Sequence, residues 1–143
     1  MSQADLEHPT PPLVSVVIVN HNSGGDLATC VRSIMDSEYP RKELIIVDNA
    51  SNDDSLARVD ISHSDLGVVR SPLNVGYSRA ANIGIARSKG EFLVIMNPDT
   101  ATDPHWLDAL LDAARRHTRA AFFQPKLLLM RDPQILNSAG NMI

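Results

Sequence analysis

Two short clusters of oxygen-bearing side chains carry the chemical potential of this chain. The first is Val47-Asp48-Asn49-Ala50-Ser51-Asn52-Asp53-Asp54, directly after Leu44-Ile45-Ile46. The second is Asn97-Pro98-Asp99-Thr100, directly after Phe92-Leu93-Val94-Ile95-Met96. An ionised carboxylate is a pure acceptor, suited to an N–H donor such as N3–H of a pyrimidine. Asp48 stands at the end of an apolar run, where it suits that task. The same residue type also organises turns, so Asp48 can equally serve the Asn49–Asp53 turn. Asn97 and Asp99 set an amide and a carboxylate two residues apart. Mg²⁺ or Mn²⁺ often takes one or two protein carboxylates, with phosphate oxygens and water completing the shell. The alternative for this cluster is a turn that leads into a capped helix.

Such clusters need a scaffold that brings them together, and the hydrophobic pattern supplies one. Val14–Val19 is β-branched and almost wholly apolar, as expected of a central parallel strand covered on both faces. After the polar turn Asn20–Gly25, apolar residues Leu27, Cys30, Val31, Ile34 and Met35 recur at helical steps, predicting a helix over 26–37. Leu44–Val47 is the second strand, a short helix begins at Asp53-Asp54-Ser55, and Val68-Val69 marks the third strand. Asn74-Val75-Gly76 is a turn before an Ala-rich helix over 77–88. Glu91–Met96 is the fourth strand. Trp106, Leu107, Leu110, Leu111 and Ala114 form the apolar stripe of a helix over 104–117, with Thr102 or Asp103 as its cap. Ala120–Gln124 and Lys126–Met130 are further strand candidates, and beyond Asp132-Pro133 the pattern weakens. Strands alternating with helices predict an α/β fold with a mostly parallel sheet flanked by helices. In such sheets the ligand crevice lies outside the carboxyl ends of the strands, where both clusters fall.

The bulk properties narrow the function classes. The chain has 143 residues, 43% of them hydrophobic, and a net charge of −4 from 17 acidic and 13 basic residues. That is one globular domain with no electrostatic footprint for nucleic acid. A single cysteine, Cys30, excludes an internal disulfide and suits a core position. Residues 1–12 read as a flexible lead, and 13–143 as a domain that stops short of completion. No apolar run reaches membrane-spanning length. The expected location is cytoplasmic, with peripheral attachment to the inner face of a membrane compatible with it. Neither G-x-G-x-x-G nor G-x-x-x-x-G-K-[ST] is present, which disfavours a dinucleotide-dependent oxidoreductase.

Taken in order, the segments VVIVNHN (16–22), IVDNASND (46–53), Asn74–Gly76 with Asn82 and Gly84, GEFLVIMNPD (90–99) and PKLL (125–128) resemble the family 2 glycosyltransferases. The VDNAS and NPD forms look most like the rhamnosyltransferase-type branch. The resemblance covers the span from Val14 to Gly140 and corresponds to the N-terminal part of such enzymes. It implies a GT-A fold, Rossmann-like, and a nucleotide-sugar-binding domain truncated at its C-terminus. It implies an inverting, metal-assisted transfer of a sugar, plausibly rhamnose from dTDP-rhamnose, to a glycan or lipid-linked acceptor in polysaccharide or cell-wall synthesis. By position, Asp48 would contact the base. Asn20, Asn22, Asn49, Asn74, Asn82 and Asn97 would line the nucleotide-sugar site, and Asp99 would hold the divalent cation, Mg²⁺ or Mn²⁺. Many relatives carry two aspartates where this chain has Asn97 and Asp99. Relatives often place an arginine just before the asparagine matching Asn82, where this chain has Ala81, with Arg79 two residues earlier. The general base is expected downstream of Ile143, so these residues alone should bind donor but transfer sugar weakly. A non-catalytic nucleotide-sugar-binding module is the alternative.

Overall fold

The computed structural model describes residues 10–138. Its elements are β1 (Val14–Asn20), α1 (Asp26–Met35), β2 (Lys42–Asn49), β3 (Leu66–Ser71), α2 (Tyr77–Ile85), β4 (Phe92–Met96), α3 (Trp106–Arg116), β5 (Leu127–Leu129) and β6 (Asp132–Ser138). A single 3-10 turn over Leu56–Arg58 follows β2. The four strands β1 to β4 form one sheet in the order β3-β2-β1-β4, every neighbouring pair parallel. The expected α/β architecture is therefore present, and the central strand is the one with the most continuous apolar run. All seven residues of β1 are buried.

Alternation along the strands divides the core into two layers. Val14, Val16 and Ile18 of β1 join Leu44 and Ile46 of β2 and pack against Leu27, Cys30, Val31 and Ile34 of α1 and Leu107 and Leu111 of α3. The intervening residues, Val17, Val19, Ile45 and Val47, face α2 through Ala80 and Ala81. The chain builds outward from β1 through β2 to β3. It then crosses to the other side of β1 to add β4. The strand order thus reverses between β1 and β4, which is where ligands bind in open α/β sheets.

The small residues of α2 are explained by proximity. A β-carbon at Gly84 would lie 2.4 Å from Val17 Cγ1 and 3.1 Å from Val47 Cγ2. Gly84→Ala improves intrinsic helix propensity by about 1 kcal/mol. Overpacking against an immobile central strand costs about 1–3 kcal/mol, so the clash should win. We expect Tm to fall by about 3–8 °C in a calorimetric scan; an unchanged or raised Tm would show that α2 rides freely on the sheet.

At the amino edge of the sheet, Ser15 Oγ donates to Glu43 Oε1 (2.5 Å), and Lys89 N–H donates to the same oxygen (2.6 Å). Gly90 N–H donates to Ser15 Oγ (2.7 Å). This staple sets the register of β4 against β1, with Ile18 opposite Met96. It therefore fixes where Asn97 emerges at the other end of the strand.

The ends of the chain depart from the sequence expectation. Ala120–Gln124 forms no strand and is exposed. Instead β5 and β6 pair antiparallel as a separate two-stranded sheet. Residues 132–138 set Ile135 and Leu136 side by side among Asp, Pro, Gln, Asn and Ser, so no alternating pattern marks a strand, and pairing with Leu127–Leu129 makes them one. Of the expected flexible lead, Pro12 accepts a hydrogen bond from the Tyr39 hydroxyl (2.6 Å) and Pro11 one from Arg41 (2.7 Å). Met1–Pro9 and residues 139–143 lie outside the described residues, as does the end of the family resemblance at Gly140. Among the described residues, no helix is long and apolar enough to cross a membrane.

Candidate functional site

Because β1 to β4 run parallel, their carboxyl ends open on one rim of the sheet. Register places Asn20 of β1 opposite Asp48 of β2, and Asp48 opposite Arg70 of β3. Met96 sits opposite Ile18, so Asn97-Pro98-Asp99 leaves β4 beside the end of β1. The two polar clusters thus arise at the same rim, as the family resemblance implies.

The first cluster is tied to the loop after β1 by a buried network. Asn20 is 0% and Asp48 8% exposed. Asn20 Nδ2 donates to Asp48 Oδ1 (2.9 Å) and also lies 3.0 Å from the hydroxyls of Ser51 and Ser55. Ser23 Oγ donates to Asn20 Oδ1. Two amide protons serve three acceptors, and the charged one holds the strongest claim. The loops are further joined by Asn22 N–H donating to Ser51 Oγ (3.1 Å) and Asn52 N–H donating to Asn22 Oδ1 (2.8 Å). Asn22 and Ala50 both adopt positive φ, 52° and 59°. Asn tolerates that region, whereas Ala there carries a cost of about 1–2 kcal/mol. The network holds Ala50 where the turn requires it.

Asn49 points to the opposite face of the sheet. It is 3% exposed. Its Nδ2 donates to Asn74 Oδ1 (2.9 Å), and its Oδ1 accepts from Val75 N–H (2.9 Å). Asn74 Oδ1 also accepts from Gly76 N–H (3.0 Å), at the start of α2. Gly76 has φ 82°, a conformation that L side chains rarely adopt. His21 is exposed, and its Nδ1 donates to the Asn49 carbonyl (2.9 Å), since a carbonyl only accepts. That bond fixes which ring nitrogen carries the proton.

The loop after β4 remains open. Asn97 and Asp99 are exposed. Beneath them lies Cys30, with Sγ 3.8 Å from Met96 Sδ and 3.7 Å from the Asn97 carbonyl oxygen. Burial pushes its thiol up to about 12, which makes it a core residue and no nucleophile. Trp106 packs against the same core with its Nε1 buried and unpaired among the described residues. Ser33 Oγ of α1 accepts from Thr102 N–H (3.1 Å), and Asp103 Oδ1 accepts from His105 N–H (2.9 Å) in the turn ahead of α3. The N-cap position is His105, without a side-chain cap, so neither Thr102 nor Asp103 caps the helix as the sequence predicts. Among the described residues, no three His, Cys, Asp or Glu side chains gather into a ready-made metal cage. Asp99 and Asn97 provide hard oxygen donors at an open rim. That suits a Mg²⁺ or Mn²⁺ ion that takes most of its ligands from phosphate and water.

The structure thus joins Asn20, Asn22 and Asp48 in one network, joins Asn49 to Asn74 in another, and leaves Asn97 and Asp99 on the third loop of the rim. Asn82 is exposed on α2 and takes no part in the loop-binding hydrogen bonds. The residues that sequence reasoning passed over are Ser23, Ser51, Ser55 and Arg70. A cavity of about 440 Å³ opens beside Asp48, lined by Ser51, Asp53 and Arg70 and by the apolar Leu56, Ala57, Val59 and Ile61. Arg70 gave no local signal, because only the β2–β3 register brings it beside Asp48. A second hollow, of about 530 Å³, lies at the end of α3 around Arg116–Ala120 and shares no residue with the rim.

Asp53 clamps the rim from its exposed side. Its Oδ1 accepts from the Ser55 hydroxyl (2.6 Å) and Ser55 N–H (3.1 Å), and its Oδ2 accepts from Gly24 N–H (2.8 Å). The Ser55 hydroxyl above all, with these N–H groups, holds its carboxyl below the usual carboxylate range. A depressed carboxylate contributes stability above the unfolded value, and that stability is lost as pH falls through the folded one. The Tm gap between the parent and Asp53→Asn should therefore close as pH drops from 7 to below about 4. A gap independent of pH would show that the clamp does not depend on charge.

Comparison with known proteins agrees with this geometry. The sequence profile of "Glycosyl transferase family 2" matches residues 15–126. Glycosyltransferase GlyG of Streptococcus pneumoniae is 31% identical over 101 residues, which is 68% of this chain and 34% of that protein. The N-acetylglucosaminyl-diphospho-decaprenol L-rhamnosyltransferase of Mycobacterium tuberculosis is 29% identical over 132 residues, 85% of this chain and 42% of that one. The mannosyltransferase PcManGT of Pyrobaculum calidifontis, solved with GDP-Man and Mn²⁺, superposes with a TM-score of 0.68 at 24% identity, covering 74% of this chain and 33% of that one. S. aureus TarS 1-349 with UDP-GlcNAc superposes with a TM-score of 0.65 at 20% identity, covering 74% and 32%. At those identities the structures speak for the fold alone, and that fold is GT-A. The chain spans roughly a third of the length of the first relatives it matches. With a profile match over most of its residues and a parallel sheet that gathers the VDNAS and NPD segments at one rim, the chain belongs to glycosyl transferase family 2.

Proposed function

We propose that this chain is the donor-binding part of an inverting glycosyltransferase, which moves a sugar from a nucleoside diphosphate to a glycan or lipid-linked acceptor. Rhamnose from a thymidine diphosphate donor is the preferred assignment. The observation that carries the reading is the common rim: Asp48 stands at the end of β2 and Asp99 on the loop after β4, both at the carboxyl rim of one parallel sheet, with β1 between them. A donor sugar nucleotide needs an acceptor for its base N–H at one end and neutralised charge at its diphosphate. Asp48 and its cavity serve the first need. Asn22 and Asn82 are assigned as polar contacts to the nucleotide, while Asn49 and Asn74, locked against each other on the face away from Asp48, act by holding the loop before α2. Asn97 and Asp99 would hold a divalent cation, which when bound supplies Lewis-acid stabilisation of the departing diphosphate. The relative from M. tuberculosis is named for rhamnosyl transfer, which supports the sugar assignment, as do the VDNAS and NPD forms.

No residue of this chain is assigned as the general base that activates the acceptor hydroxyl, so donor binding and not turnover is the property to measure. Calorimetric titration with thymidine and uridine diphosphates, with and without Mn²⁺, tests the reading. Binding that is saturable and strengthened by Mn²⁺ is expected. No binding under either condition would overturn it.

A further inference from the structure

We propose that Ser33 of α1 is a positioning residue for the loop that carries Asp99, and that it sets this loop in place before a cation arrives. The inference rests on the donor-binding reading above and names what fixes the metal end of that site. The loop after β4 is held at its start, middle and end. At the start, the Cys30 thiol lies 3.7 Å from the Asn97 carbonyl oxygen. In the middle, Thr102 donates to Ser33 Oγ through both its N–H (3.1 Å) and its hydroxyl (3.2 Å). At the end, the Pro104 carbonyl accepts from the Ser37 hydroxyl (3.1 Å) and from Glu38 N–H (3.0 Å). Cys30 and Ser33 stand one turn apart on the same side of α1, and Ser37 follows just past its end. Together they form a rail under the loop.

Ser33 is the point of the rail whose hydrogen bonding is complete. A hydroxyl has one proton to donate and two lone pairs with which to accept. The Ser33 proton goes to the Cys30 carbonyl (2.8 Å), and its lone pairs take the N–H and the O–H of Thr102. The bond back to α1 fixes the Ser33 rotamer. The two outward bonds fix both the backbone and the side chain of Thr102, which accounts for a threonine that does not cap α3. Thr102 lies three residues beyond Asp99, and Asn97, held above Cys30, lies two residues before it. Between them Pro98 restricts the backbone, because its ring fixes φ. Asp99 thus sits on a short exposed span with both ends tied to α1. The Cys30 thiol, raised chiefly by burial, is raised also by the charge of Asp99, as expected of a carboxylate above this part of α1. A cation that takes few ligands from the protein binds more tightly when those ligands are held in place beforehand, because less freedom is lost on binding.

The test titrates the 143-residue chain with thymidine diphosphate, with and without Mn²⁺, and records a thermal melt of every variant. Ser33→Ala should lower the Mn²⁺-dependent gain in affinity by about threefold to tenfold, just under the range for groups bonded directly to a metal ligand, because Ser33 acts through Thr102. Metal-free affinity should stay that of the parent. Ser33→Thr keeps a hydroxyl that can still reach a carbonyl of the preceding turn, and should keep the gain. Thr102→Val removes one of the two outward bonds without touching α1 and should lower the gain in the same direction. Added to Ser33→Ala it should cost nothing more, since both changes break one contact. An unchanged Mn²⁺-dependent gain in a folded Ser33→Ala would overturn this inference and leave the donor reading standing. Equal losses with and without Mn²⁺ would make Ser33 a general support of the fold and overturn it too. If Ser33→Ala does not fold, Thr102→Val decides by the same two criteria. A parent that binds the diphosphate with no gain from Mn²⁺ would overturn the cation assignment, and this inference with it.

Discussion

Asn20→Ala should destabilise the fold by about 1.5–3 kcal/mol, the range expected when a hydrogen bond to a charged group is lost. Asn20 is the hub that joins the loops after β1 and β2. Its amide is the buried donor to Asp48, its carbonyl takes the Ser23 hydroxyl, and its Nδ2 lies within 3.0 Å of both Ser51 and Ser55. Alanine would leave the Asp48 carboxylate facing a gap in the protein interior. It would also leave Ser23 without its acceptor, at a further cost typical of a lost hydrogen bond. A domain of this size is stable by only about 5–15 kcal/mol in total, so a large share of the margin is at stake. The loops should open first, which would remove nucleotide binding even where the sheet survives. Ser51→Ala is the control. It deletes one of three acceptors around Nδ2 and should cost about 1 kcal/mol. Chemical denaturation followed by circular dichroism reads both. An Asn20→Ala midpoint that matches Ser51→Ala would mean that solvent replaces the amide freely and that the network is not what holds the rim.

Asp99→Ala should abolish the Mn²⁺-dependent gain in donor affinity, a loss of at least about tenfold to a hundredfold by comparison with losses of outer-shell partners. Asp99 is exposed on the loop after β4. Its removal should therefore change stability by less than about 0.5 kcal/mol, as for most surface substitutions. Metal-free binding should survive, because the proposed base contact, Asp48, lies on β2, away from the loop after β4. Titration with and without Mn²⁺, and with chelator, separates the two parts of the affinity. If the variant keeps its metal dependence, the cation sits elsewhere and Asn97-Pro98-Asp99 is only the turn into α3. The contrast with Asn20 is instructive. One residue should matter through the fold it holds closed, the other through the proposed cation at an open edge.

Much of this molecule is legible without coordinates. The run Val14–Val19 announces a strand covered on both faces, and β1 is buried along its whole length. The stripe Leu27, Cys30, Val31, Ile34 is the face that α1 buries. Asp48 shows the boundary of such reading. A local turn was one of its two open roles, yet the turn-making carboxylate is Asp53, bonded to Ser55 two residues on. Asp48 reaches instead to Asn20, 28 residues away. Asn49 and Asn74, 25 residues apart in the chain, meet on the other face for the same kind of reason. The short strand Asp132–Ser138 carries Ile135 and Leu136 as adjacent apolar residues among polar ones, so no alternation marks it, and it owes its conformation to a partner.

The sequence by itself determined the four strands of the main sheet and the three helices, which of their faces are apolar, and which two clusters carry acidic oxygen. Those properties are written at spacings of two to four residues, because side-chain direction repeats at that interval. Only the tertiary structure decided that β4 crosses to the far side of β1, that Asn20, Asp48 and Arg70 stand in one row, and that Asn49 turns away from Asp48 toward α2. Strand order and register are contacts between residues far apart in the chain. They follow from how whole layers pack, and no local pattern of residue types encodes them.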